Sequence, residues 1–135
     1  MTATGSELSE RIDLIERGYE YLLAYAAQGR QNEAGSDARV TLEKIYTALD
    51  GLRSAAVQAL DISPPSNRYD VEPFLAALER DAHTARAAVG LVLSRPTISS
   101  MLVDNLNASV HLRALLTDLF LLEQAVQSSS SITTS

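Results

Sequence analysis

Apolar residues in this chain recur in alternating steps of four and three through four successive segments. That spacing constrains the fold more than any other feature. In the first segment they fall at Leu8, Ile12, Ile15, Tyr19, Leu22 and Ala26, and in the second at Ala38, Leu42, Ile45, Leu49, Leu52, Ala56 and Ala59. The third runs Val71, Leu75, Leu78, Ala82, Ala85, Val89 and Val92. The fourth is less regular: Met101, Asn105, Ala108, Leu112, Leu115, Leu119, Leu122 and Val126, widened by Leu116 and Phe120. A helix turns by about 100° per residue, so each set occupies one face, and four such faces predict an all-α chain.

The punctuation between segments agrees. QGRQNEAGSD interrupts the first rhythm, with Gly29 as a C-terminal stop and Ser36 or Asp37 as the next N-cap. SPPSN at 63–67 ends the second, because consecutive prolines cannot continue a helix. Asp70 precedes the third as a cap, Pro73 sits within its tolerated first turn, and Arg95-Pro96 closes it. The expected helices are about 6–29, 37–61, 70–95 and 98–127. They predict one domain over 1–127, an antiparallel up-down-up-down four-helix bundle, followed by a polar, flexible tail at 128–135.

Composition excludes several function classes. The chain has 135 residues, enough for a core without covalent staples, and no cysteine, so disulfides, thiolate metal sites and cysteine nucleophiles are absent together. Its net charge is −6, and ten arginines and Lys44 are scattered singly, with no basic cluster to follow a phosphate backbone. Nucleic acid is therefore not an expected partner. No signal-peptide pattern opens the chain and no apolar run is long enough to span a bilayer, so a cytoplasmic protein is expected. G-x-S-x-G, the P-loop and G-x-G-x-x-G are all missing, which points away from an enzyme. Asn107-Ala-Ser109 matches a glycosylation acceptor, but it falls inside an expected helix of a non-secreted chain.

The stretch GYEYLLAYAAQGR, 18–30, carries three of the five tyrosines. Tyr19 is on the core stripe, whereas Leu14, Gly18, Tyr21 and Tyr25 form a second row about 100° round from it. Two explanations compete. The row packs against a neighbouring helix of the same chain, or it faces a second protein. Gly18 costs roughly 1 kcal/mol relative to alanine in a helix, which argues for close approach of something. The second explanation makes the chain a non-enzymatic adaptor, assembly factor or regulatory subunit, a homodimer built on Leu14, Gly18, Tyr21 and Tyr25. Gly51 and Gly90 raise the same question on later helices. Asn105, on the fourth stripe, reads as an end-of-bundle position more readily than as a buried register-setting residue.

A ligand-binding bundle is the alternative. With turns centred near 33, 65 and 97, antiparallel neighbours bring Tyr19, Tyr21, Tyr46, His83 and His111 to one height. Two histidines on facing helices, with Glu79 and Asp118 nearby, could ligate haem iron or a metal, and the layer could hold a small apolar molecule. No cofactor is required by this pattern, since each histidine lies one step beyond its core stripe. Di-iron chemistry is disfavoured, because it needs Glu-x-x-His pairs and the chain has none. A third reading is phosphotransfer through His83. Histidine phosphotransfer domains share the expected fold and expose one histidine mid-helix, and Arg80 and Arg86 stand one turn either side of His83. The lysine expected just after such a histidine is missing, so the likeness stays at the level of fold.

Overall fold

The computed structural model describes the backbone of residues 3–62, 64 and 68–134, and the side chains of 7–62, 64 and 68–127. Among the described residues every regular element is helical: α1 Ala3–Ala26, α2 Ala38–Ala48, α3 Leu52–Ile62, α4 Glu72–Leu93, α5 Ser100–Ala108 and α6 His111–Thr134. Helices α1 and α4 each pack against α2, α3, α5 and α6. Apart from Pro64, the SPPSN stop at 63–67 lies outside the described residues. Helix α6 continues to Thr134, past the expected end at 127, since its serines and threonines include no glycine or proline to stop it. Residue 135 of the expected tail, and the side chains of 128–134, lie outside the described residues.

Six helices stand where four continuous ones were expected, because two single residues adopt left-handed backbone. Gly51, at φ +80°, separates α2 from α3. The absence of a Cβ makes that conformation inexpensive. The carbonyls left open there are not idle, since the Arg11 guanidinium donates to the carbonyls of Ala48 and Asp50. Val110, at φ +58°, separates α5 from α6. For a β-branched residue this conformation is strained.

The break at Val110 resets the helical phase. In α5 the buried residues are Ser100, Val103 and Leu106, while Met101 is 74% exposed and Asn105 and Ala108 face solvent. The expected stripe through Met101, Asn105 and Ala108 is thus corrected; from Leu112 onward it holds, with Leu116 buried beside it, while Phe120, expected to widen it, is 41% exposed. Asn105 is exposed in the second half of α5, so it is not a buried seam residue.

The other stripes meet as a core. Ile12, Ile15, Leu22, Leu42, Ile45, Leu78, Leu115 and Leu119 are almost wholly buried. Each such side chain contributes about 1.5–3 kcal/mol when removed from water. Tyr19 and Ala26 lie at the rim, and Tyr25 takes the core place at that end.

Caps follow the sequence with small displacements. Gly29 has φ +67° just beyond α1. Ser36 Oγ accepts from the Ala38 N–H at 3.3 Å, and Asp70 Oδ1 from the Glu72 N–H at 3.0 Å. Ser99 caps α5 by accepting from the Leu102 N–H. The α1–α2 and α4–α5 connections are tied together by Glu33, which accepts from the Ile98 N–H at 2.8 Å and pairs with Arg39 at 3.0 Å. The Ile98 N–H leads in holding the Glu33 carboxyl below its ordinary range. Arg39 in turn donates to the carbonyls of Leu93 and Arg95.

Candidate functional site

The tyrosine row of α1 is largely consumed within the chain. Gly18 is buried where α1 crosses α2, and a Cβ there would stand 2.7 Å from Ile45 Cδ1 and 2.8 Å from Ile45 Cγ1. Close approach is therefore the use of this glycine, and the neighbour is α2 of the same chain. Tyr25 is fully buried, and its hydroxyl donates to the Ile98 carbonyl at 2.6 Å. Its ring stacks on Tyr21 with centroids 6.3 Å apart. Tyr21 is half-buried, and its hydroxyl accepts from the Asp37 N–H at 3.0 Å. Gly18 and Tyr25 are accordingly corrected from surface to interior. A helix in a bundle has two neighbours, and this second apolar row meets α2 and the α4–α5 connection. Leu14 and Tyr21 remain half-exposed.

Those two residues border a furrow between α1 and α2. One end, about 320 Å³, is lined by Leu14, Arg17, Gly18, Tyr21, Thr41 and Lys44. The other, about 390 Å³, is lined by Glu7, Glu10, Arg11, Leu14, Thr47 and Ala48. Leu14 lines both, so the two hollows adjoin at Leu14, with a basic end at Arg17 and Lys44 and an acidic end at Glu7 and Glu10. Glu7 pairs with Arg11 at 3.3 Å. Glu10, Arg17 and Lys44 are exposed and form no ion pair among the described residues.

The expected layer of tyrosines and histidines does not assemble. The Arg86 guanidinium lies 3.9 Å over the Tyr46 ring, and its Nε donates to the Tyr46 carbonyl at 3.3 Å. A Cβ on Gly90 would lie 3.1 Å from the same ring. Tyr46 is therefore level with 86–90, about one turn away from its expected place beside His83. Asp81 on α4 meets Asp118 on α6, which sets the register of that pair. His83 is exposed and turned toward the α2–α3 joint, while His111 is the half-buried first residue of α6. Tyr19 is half-buried against the core. The expected layer fails because the connections have unequal lengths, and a one-turn error moves every cross-helix neighbour. Among the described residues no three His, Asp or Glu side chains are grouped to hold a metal ion.

Two features were not legible beforehand. Asp81 and Asp118 share a hydrogen bond between α4 and α6, and Asp118 is pushed up to about 7. Burial is the first cause and the Asp81 carboxyl the second. Asp118 Oδ2 is shielded from solvent and has no hydrogen-bond partner. The second feature is a groove of about 600 Å³ where the α2–α3 joint faces α4, lined by Leu49, Asp50, Gly51, Leu52, Arg53, Ser54, Val57, Glu79, Ala82, His83 and Arg86. A glycine beside an arginine-bearing helix start was the available signal for it, but only the left-handed turn at Gly51 opens the space.

No described helix is long and apolar enough to cross a membrane. The chain matches no family model, no curated protein and no solved structure among those compared.

Proposed function

We propose that this chain is a helical interaction protein, an adaptor, assembly factor or regulatory subunit, that works by contact and pairs with a second copy through the α1–α2 furrow. In this reading the six helices serve as four antiparallel arms, α1, α2–α3, α4 and α5–α6, in up-down-up-down order. The observation that carries the proposal is the charge order of the furrow around Leu14. A two-fold interface is self-complementary when opposite ends of one patch carry opposite charge. If α1 crosses its copy antiparallel about Leu14, residue 7 faces residue 21 and residue 11 faces residue 17. The acidic end, Glu7 and Glu10, then meets Arg17 and Lys44 of the other copy. Leu14 meets itself at the centre, and the half-exposed Tyr21 supplies a ring with one wet edge.

Exposed ion pairs contribute only about 0.2–1 kcal/mol each, so the charges set orientation while the apolar strip supplies affinity. The test is a charge swap read by native mass spectrometry or sedimentation equilibrium. Glu10→Lys and Arg17→Glu each alter an exposed residue with no ion-pair partner among the described ones, so helix content stays constant by circular dichroism. Each variant alone should shift toward monomer. Mixed in equal amounts they should re-form dimer, because the introduced lysine of one variant then meets the introduced glutamate of the other. The unaltered Arg17 and Glu10 meet in the same mixed pair. A wild type that stays monomeric at micromolar concentration, or a mixture that does not recover, overturns the proposal.

A further inference from the structure

The groove at the α2–α3 joint is built differently from the furrow. One wall is apolar, from Leu49, Leu52, Val57 and Ala82. Its edge is polar, and the polar groups divide into committed and uncommitted ones. Arg53 is committed: it grips both oxygens of Glu72 at 2.7 and 2.9 Å and reaches Glu79 at 3.6 Å, which neutralises the Glu79 carboxylate in the lining. Arg86 is half committed. Its plane rests on Tyr46 and its Nε is held by the Tyr46 carbonyl, so the guanidinium is fixed in place while its two terminal nitrogens have no acceptor among the described residues. His83, one turn earlier on the same helix, is exposed and likewise has no hydrogen-bond partner among the described residues.

A fixed arginine fork without an acceptor, beside a free imidazole and an apolar wall, is the arrangement that receives an amphipathic anion. We infer that this groove binds a small phosphate monoester with an apolar body. A phosphate monoester accepts two N–H bonds from the Arg86 fork on two oxygens and a third from His83 on another, and it brings more negative charge to the fork than a carboxylate does. The body lies against Val57, the apolar lining residue with substantial exposure, above the nearly buried Leu49 and Leu52. The volume, about 600 Å³, suits a small molecule. Asp50 is the one carboxylate of the lining without a cationic partner among the described residues, and it opposes the ligand. This site is independent of the proposed pairing of copies, since no residue of the furrow lines it.

The probe is phenyl phosphate, titrated into the full chain with amide and histidine-ring NMR signals as readout and inorganic phosphate as the comparison. The expected result is saturable shifts centred on Gly51, His83 and Arg86, with phenyl phosphate binding at least about tenfold more tightly than inorganic phosphate because of the apolar wall. Arg86→Gln should weaken binding by about tenfold or more, and Asp50→Asn should strengthen it. Because Arg86 also supports Tyr46, His83→Ala is the second variant. It alters an exposed side chain with no packing role and should weaken binding severalfold. Absence of saturable shifts at these residues up to roughly 10 mM phenyl phosphate overturns the inference. So does wild-type affinity in the folded His83→Ala variant.

Discussion

Replacing Asp118 by asparagine should remove most of a pH dependence that the α4–α6 pairing creates. In the folded chain Asp118 is pushed up to about 7 by burial and by the facing Asp81 carboxyl, whereas an aspartate in the unfolded chain titrates near 3.9. Between those values the folded state holds a proton that the unfolded state has released. The pair therefore contributes full stability below about pH 4 and loses it as pH rises through about 7, when two carboxylates face each other and one oxygen is shielded from water. A shift from 3.8 to about 7 would correspond to about 4 kcal/mol at 1.36 kcal/mol per unit. Asp118 is only half-buried, so solvent screening reduces this to about 1–2 kcal/mol. Asparagine keeps an N–H to donate to Asp81 and carries no charge. Urea unfolding followed by circular dichroism at pH 5, 6, 7 and 8 should show the wild type losing about 1–2 kcal/mol more than Asp118→Asn across that range, a difference of several degrees in Tm. Other groups cancel in the comparison. Parallel stability curves for the two proteins would refute the reasoning.

Gly18→Ala should destabilise by about 1–2 kcal/mol despite its better helix propensity, because the new methyl strikes the fully buried Ile45 side chain, and Ile45→Val in the same chain should recover part of the loss. The denaturation midpoints of the single and double variants test this, and independent, additive effects would contradict it. Tyr25→Phe should cost about 1–2 kcal/mol in the same assay, since it leaves the Ile98 carbonyl without its buried donor. Val110→Gly should stabilise by about 0.5–1 kcal/mol by relieving left-handed strain at a half-exposed site, with no change in helix content; a loss of stability would mean that the Val110 side chain does more than the strain costs.

Much of the core was legible in the sequence because burial on a helix is periodic, and periodicity is a local property. The stripes through Leu8 to Leu22, Ala38 to Ala59 and Leu75 to Val92 hold for this reason, as does the stop at Gly29. Leu14, Gly18, Tyr21 and Tyr25 were legible as a second row, but not what they face. That depended on the approach of Ile45 and the carbonyl of Ile98, one on α2 and the other beyond α4. Left-handed turns at Gly51 and Val110 are single-residue events that apolar spacing does not report, yet they divide two helices, rotate the face of α5 and open the groove beside His83. Cross-helix register is equally non-local. How the connections close placed Tyr46 against Arg86 and Asp81 against Asp118, and set His83 on the groove at the α2–α3 joint. Sequence alone determined which faces are buried, because that follows from the angle between successive residues; tertiary structure decided which residues meet, because that follows from how the helices end and where their neighbours lie.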